Sequence, residues 1–281
     1  MERNFRQLLE ERWSEGKFVC VGLDSDFEKI PGARVGGVMR TILGFNRQII
    51  EATHDLVCAY KPNIAFYEAY GEAGWLALRE TIVYARKVAP EVPVILDAKR
   101  ADIGNTNQGY VKNIFGFLDV DAVTVNPYLG GGSLKPFLDQ KNKGVIVLCR
   151  TSNPSAGEFQ NLRVSVPSAF ENGDRSLPFY QYVAERVRYH WNEHGNCGLV
   201  VGATAPKELA EIRRIVGDMP ILIPGIGTQG GDIVQTVAAG KDSRDKGMII
   251  NSSSKIIFSE NPRAETQKLH SAVCDCLTAK V

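Results

Sequence analysis

The sequence predicts a (β/α)8 TIM barrel, on three observations. Eight short apolar runs, rich in β-branched residues, recur at residues 18–23, 56–60, 94–96, 122–125, 145–148, 199–201, 221–223 and 248–250. Such blocks are expected of parallel strands buried on both faces. Helical patterns separate them, among them 68–88, 178–194 and 206–216, and strand–helix alternation of this kind means a barrel or a doubly wound sheet. Polar residues stand at the carboxyl ends of the runs: Asp24, Lys61, Asp97, Lys99, Asn126, Thr151 and Asn251. In barrel enzymes that rim carries the chemistry. The count of runs favours the barrel, and with no linker or shift of composition residues 1–281 read as a single domain.

Local signals place the remaining elements. Asn105-Thr106 suit a helix N-cap after the third strand, and Pro206 suits a first helical turn. The longest irregular stretch, about 152–177, follows the fifth strand on the active rim and reads as a substrate-covering segment. A hydrophobic content of 44% supports a large core, and a net charge of +1 gives no electrostatic case for nucleic acid or an anionic membrane. No apolar run approaches the ~18 residues of a membrane span, and the start Met1-Glu2-Arg3-Asn4-Phe5 lacks the layout of a signal peptide. Cys20, Cys58, Cys149 and Cys197 lie in apolar runs as small hydrophobes, and Cys274-Asp275-Cys276 is too close-set for a metal pair. Free thiols fit a reducing cytoplasm. His190 and His194 share a helix face without a third ligand, so no metal site is expected.

The chemistry concentrates after the third strand, in Asp97-Ala98-Lys99-Arg100-Ala101-Asp102-Ile103-Gly104-Asn105-Thr106. Residues two apart on a strand share a face, which puts Asp97 and Lys99 together, and Lys61 ends the neighbouring strand. Two lysines and two aspartates at such strand ends form an alternating-charge cluster, and buried charges on the catalytic rim ask for a function. An anion site is readable after the last two strands. Pro224-Gly225-Ile226-Gly227-Thr228-Gln229-Gly230-Gly231 leads into a helix, where backbone N–H groups approach an anion closely. Asn251-Ser252-Ser253-Ser254-Lys255 adds hydroxyls and a cation at the position where barrels often bind phosphate.

Asp97-x-Lys99-x-x-Asp102-Ile103-x-x-Thr106 after the Lys61 strand resembles the orotidine 5′-phosphate decarboxylase family. Asp97 to Thr106, Val125-Asn126-Pro127-Tyr128 and Thr151-Ser152-Asn153-Pro154 resemble its longer-chain members, and the match runs from Asp24 to about Lys255. The resemblance implies decarboxylation of orotidine 5′-phosphate to uridine 5′-phosphate with no metal and no organic cofactor. It implies a homodimer in which Lys61, Asp97 and Lys99 are joined by Asp102 of the other subunit. Asp24 and Asn63 match ribose contacts, Ile103 and Thr106 contacts across the dimer, Ser152 the pyrimidine contact and Gln229 a phosphate contact. Asn126, Thr151, Pro224, Gly230, Ser253, Ser254 and Lys255 complete the expected substrate-binding set.

The physics of the cluster supports that chemistry. Departure of CO2 leaves negative charge on C6 of the pyrimidine, which an ammonium at Lys99 stabilises and then protonates. Flanking aspartates keep the lysines charged against desolvation. One departure from the family stands out: Ser254 occupies the position of an arginine that grips the phosphate, and a lysine such as Lys255 lacks the planar fork. Competing readings are a nucleotide-binding barrel impaired by that loss, and a Mg-dependent sugar-phosphate decarboxylase or aldolase. The second needs a carboxylate where this chain has Lys61. A buried ion network without chemistry is the non-functional alternative.

Overall fold

In the computed structural model, which describes residues 3–32, 36–167, 174–226 and 231–279, eight parallel strands curl into a barrel. They are β1 (Val19–Leu23), β2 (Val57–Pro62), β3 (Ile95–Arg100), β4 (Ala122–Val125), β5 (Gly144–Arg150), β8 (Cys197–Val201), β9 (Ile221–Pro224) and β10 (Met248–Ser252). Two further strands, β6 (Arg163–Pro167) and β7 (Asp174–Pro178), form a separate antiparallel pair. The barrel order is β2-β1-β10-β9-β8-β5-β4-β3. Its last seam, β2 to β3, is closed by parallel bridges Tyr60–Val94 and Asn63–Asp97, with Ile64 N–H donating to Asp97 O at 3.2 Å. Every residue of β1, β2, β4, β8 and β10 is buried. That explains continuous apolar runs rather than alternation, since helices cover the outer face of a parallel barrel.

The helix Phe5–Ser14 lies across the amino ends of the strands. Phe5, Leu9 and Trp13 make a buried stripe at helical spacing. Trp13 Nε1 donates to Met248 O at 2.8 Å, and the buried Arg12 donates from Nε to Val57 O at 3.0 Å. This end is sealed, which leaves the carboxyl rim as the open mouth.

Four expectations are corrected. The described residues of the segment 152–177 are not irregular: they carry a 3-10 turn (Pro154–Ala156), a short helix (Gly157–Gln160) and the β6–β7 pair, whose Arg163–Ser176 and Ser165–Asp174 side chains bond across it. The helix expected over 68–88 is two, Ala65–Glu68 and Gly71–Val88. Gly71 adopts φ +55°, and a Cβ on Gly74 would stand 1.9 Å from Tyr67 O, so the chain breaks where only glycine fits. The helix entered after β3 starts at Gly104 with Ile103 at the cap, and neither Asn105 nor Thr106 caps it. The helix expected over 178–194 runs as Phe179–Arg186 and a π turn Val187–Trp191. Asn192 ends it, accepting from Cys197 N–H at 2.9 Å, which leaves His194 off the helix that carries His190. Pro206 opens the helix Pro206–Val216 as expected. All six cysteines are free, and Cys20, Cys58, Cys149 and Cys197 are buried.

Packing at the sealed end generates a test. A Cβ on Gly144 would come within 2.2 Å of the Phe5 ring and 2.7 Å of Ala122 Cβ. Gly144→Ala is therefore expected to cost about 1–3 kcal/mol by overpacking, seen in urea denaturation as a lower midpoint at unchanged slope.

Candidate active site

The mouth of the barrel holds a chain of charges of alternating sign. Lys61, on β2, is buried and reaches Asp97 Oδ2 at 3.1 Å and Asp24 Oδ1 at 3.8 Å. Asp97, on β3, accepts at its other oxygen from Lys99 Nζ at 2.7 Å. The Lys61 side chain is 4% exposed and that of Lys99 50% exposed, so the chain of charges runs from the interior to the open mouth. Burial works against a charged Lys61, but Asp24 and Asp97 outweigh it and hold its pKa above the ordinary lysine value. Burial likewise favours a neutral Asp97. Lys61 and Lys99, with hydrogen bonds from Lys99 and Thr124, nevertheless hold its carboxyl well below the usual range. Cys20 lies beneath the network, where burial pushes its thiol up to about 12 although Lys61 pulls it down.

Local structure accounts for these placements. Asp97 and Lys99 meet as expected, but not through regular strand alternation. The β3–β4 register shifts between Leu96 and Arg100, and Lys99 takes φ +47°, an unusual conformation for a residue with a side chain. Thr124 of β4 fixes this turn. Its hydroxyl donates to Asp97 Oδ1 at 2.9 Å and accepts the backbone N–H groups of Ala98 and Lys99, each at 3.0 Å. Asp24 follows β1 at a point held by Tyr67, whose hydroxyl donates to Leu23 O at 2.9 Å and accepts from Asn46 at 3.0 Å; Ser25 in turn donates to Asn46. Asp24 Oδ1 is buried without a hydrogen bond among the described residues.

The other expected residues ring the same mouth at different distances from the charges. Asn63 sits on the β2–β3 seam beside Asp97, its Oδ1 accepting from Ala65 N–H at 3.2 Å. Asn126 is exposed after β4 and folds back to accept from Tyr128 N–H at 3.0 Å. Thr151 and Ser152 are half-buried after β5. Gly202, at the end of β8, admits Ser152 closely: a Cβ there would lie 2.7 Å from Ser152 Cβ. Pro224 O, ending β9, accepts from Ala203 N–H at 2.8 Å. Gln229 and Gly230 lie outside the described residues. Ser253 packs into the space left by Gly22, where a Cβ would meet its Oγ at 1.9 Å. Ser254 and Lys255 open the exposed first turn of the helix Ser254–Ile257.

Asp102, Ile103 and Thr106 are not brought to the charges of their own chain. Asp102 accepts from Ile103 N–H at 2.6 Å and makes no ion pair with a described residue. Asn107 holds its backbone, accepting from Asp102 N–H at 3.0 Å and donating to Asp102 O and Ser133 O, both at 2.6 Å. Ile103 is 63% exposed and Thr106 is exposed. Sequence reasoning missed Thr124, Gly202, Gly22 and Asn107. The signal for Thr124 was a single hydroxyl inside the apolar run 122–125, beside the charged strand.

These contacts set an expectation for stability. Asp97, with its lowered folded pKa, contributes stability above its unfolded pKa of about 3.9, which is lost as pH falls through the folded value. Thr124→Val keeps the shape but removes the acceptor of the buried Ala98 N–H and the half-buried Lys99 N–H and takes one bond from the carboxylate. It is expected to cost about 1–3 kcal/mol and, by raising the folded pKa of Asp97, to move acid unfolding to higher pH. Thermal melts across a pH series read both effects.

The family model described as "Orotidine 5'-phosphate decarboxylase / HUMPS family" matches residues 17–269. The chain is 47% identical over 260 residues to the orotidine 5′-phosphate decarboxylase of Cellvibrio japonicus, covering 92% of this chain and 91% of that one. It is 46% identical over 260 residues to that of Cupriavidus metallidurans, again 92% and 91%. Among solved structures, Leishmania donovani OMP decarboxylase superposes with a TM-score of 0.84 at 36% identity, over 99% of this chain and 100% of the other. Leishmania donovani UMP synthase gives 0.88 at 39% identity over 99% of this chain, and this chain spans 57% of that longer one. With the charged network at the mouth of an eight-stranded barrel and a relationship extending over nearly its whole length, the chain belongs to the orotidine 5′-phosphate decarboxylase family.

Proposed function

We propose that this chain is a carboxy-lyase that converts orotidine 5′-phosphate to uridine 5′-phosphate, the last step of de novo pyrimidine synthesis, without metal or organic cofactor. The observation that carries the reading is the Asp24–Lys61–Asp97–Lys99 chain, ending at the mouth on the exposed Lys99 ammonium. The bond from C6 to the substrate carboxylate breaks, CO2 leaves, and the electron pair stays on C6. Lys99 Nζ stabilises that pair by its charge and gives it a proton. Half-exposed, Lys99 regains a proton from solvent. Lys61 and Asp97 hold the ammonium in place, and Asp97 disfavours the substrate carboxylate ahead of its loss. At the second strand's end, where a magnesium-dependent relative needs a carboxylate, Lys61 sits buried between Asp24 and Asp97.

Recognition is assigned to the surrounding rim. Asp24 and Asn63 meet the ribose, and the unbonded Asp24 Oδ1 offers an acceptor to a hydroxyl. Ser152, with Asn126, Thr151 and Pro224 around it, meets the pyrimidine. Gln229, Gly230, Ser253, Ser254 and Lys255 take the phosphate, with Lys255 the cation in place of the family's arginine. Asp102, Ile103 and Thr106 act on the partner of a homodimer. The exposure of Ile103 and Thr106, and an Asp102 carboxylate with no ion pair among the described residues, support that assignment. The four buried free thiols support a cytoplasmic location.

Two expectations test these roles. Lys99→Ala should abolish decarboxylation while binding of uridine 5′-phosphate persists, because ribose and phosphate contacts are untouched, and EDTA should leave the wild type unaffected. The loss of ultraviolet absorbance as the substrate turns over measures activity; near-normal turnover by the variant, or inhibition by EDTA reversed with Mg2+, would overturn the assignment. Mixing inactive Lys99→Ala with inactive Asp102→Ala subunits should restore activity. In a mixed dimer one site takes native Lys99 from one subunit and native Asp102 from the other, giving about a quarter of wild-type activity at equal mixing. No recovery despite demonstrated subunit exchange would show that each site is built within one chain.

A further inference from the structure

The corner that carries Ser152 is held by a residue with no assigned role. As the chain leaves β5, Thr151 N–H donates to Gln160 Oε1 at 2.9 Å, and Gln160 Nε2 donates to Thr151 Oγ1 at 2.9 Å. One carboxamide thus grips the main chain and the side chain of the same residue, a pairing that needs an acceptor and a donor side by side. Thr151 Oγ1 passes its own proton on to Asn153 Oδ1 at 2.6 Å. From the strand side, Arg150 Nη1 donates to Thr151 O at 2.8 Å. Gly202 abuts Ser152 from the β8 side, and the next residues, Asn153, Pro154 and Ser155, are exposed. Packing therefore does not fix this corner from the solvent side; hydrogen bonds to Gln160 do.

Gln160 closes the short helix Gly157–Gln160 and touches none of the four charged residues of the network. We propose that Gln160 is a positioning residue for pyrimidine recognition: its carboxamide locks the Thr151 backbone and thereby aims the Ser152 hydroxyl at the base. This inference rests on the reading of Ser152 as the pyrimidine contact in the decarboxylase proposed above. Without the clamp, Thr151 exchanges both bonds for water and the Ser152 hydroxyl loses its fixed direction. The effect falls on the base and not on the ribose or phosphate, whose assigned contacts follow β1, β2, β9 and β10.

The test uses the full-length chain and four forms of it: wild type, Gln160→Ala, Ser152→Ala and the double variant. Gln160→Ala should lower kcat/KM for orotidine 5′-phosphate and the affinity for uridine 5′-phosphate roughly ten- to a hundredfold, the worth of one or two lost hydrogen bonds. Inhibition by ribose 5-phosphate, which has no base, should stay at its wild-type value, and this also shows that the variant is folded. Because Gln160 acts through Ser152, the double variant should fall no further than the weaker single variant. Unchanged kinetics in Gln160→Ala, an equal loss of ribose 5-phosphate binding, or additive losses in the double variant would each overturn the inference while the wild type remains an active decarboxylase. A wild type that does not decarboxylate orotidine 5′-phosphate would overturn the functional reading itself.

Discussion

Asp97, bracketed by two lysines, is the constraint on which the rest of the site depends. A carboxylate this deeply set persists as an anion only with cations against both oxygens, and the 3.1 Å and 2.7 Å pairs to Lys61 and Lys99 supply them. Lys61 is subject to the same rule, and Asp24 answers it from the other side. Alternation of sign thus extends from the buried Lys61 through Asp97 to Lys99, the most exposed member of the network. In a charge chain built this way the outermost group is the one with bonding capacity to spare, which is the group proposed above to act on the substrate. Removing an inner member strands a buried charge, so the inner residues hold the outer one more firmly than their distance from a substrate suggests.

That arrangement is tied to barrel closure. Asn63 and Asp97 bridge β2 to β3, and Lys61 lies two residues before that bridge, so the seam that completes the barrel also brings Lys61 to Asp97. The cost appears in the backbone: β3 slips register against β4 and Lys99 adopts a left-handed conformation. Thr124 answers both features with one hydroxyl, taking the two N–H groups freed by the slip and donating to the carboxylate they flank. That hydroxyl holds the irregularity in place.

Much of this was legible in the sequence because burial on both faces writes a simple signature. All eight barrel strands match apolar runs, and the polar residues that follow the runs surround one mouth. What escaped notice depends on contacts that sequence spacing does not carry. Thr124 reads as one small residue in a core strand until β3 is beside it. Gly202 and Gly22 look like ordinary glycines until Ser152 and Ser253 are found pressed against them. Gly71 broke a pattern whose hydrophobic period runs straight through it, because the break is set by backbone crowding at Gly74 and Tyr67. The β6 strand, Arg163–Pro167, does alternate half-buried and exposed residues, but its apolar side is only two valines wide and was lost in a polar stretch. The resemblance placed Asp102 in the neighbouring subunit's site, and within its own chain its carboxylate accepts from Ile103 N–H and pairs with no described cation.

The rim divides into a part fixed by the barrel and a part held by fewer bonds. The charged network stands on β2 and β3, with Asp24 directly after β1, in segments fixed by barrel hydrogen bonds and by the buried Tyr67–Asn46–Ser25 cluster. The groups assigned to base and phosphate stand on connections after β5, β9 and β10, where position depends on a few side-chain bonds such as those of Gln160. A change at Ser254 or Lys255 alters an exposed first helical turn and nothing in the Lys61–Asp97 pair. A change at Thr124 or Asp24 disturbs a buried network with no slack. Substitution on the connections after β5, β9 and β10 is therefore expected to leave the charged network intact, and Ser254 and Lys255 stand on that side of the barrel.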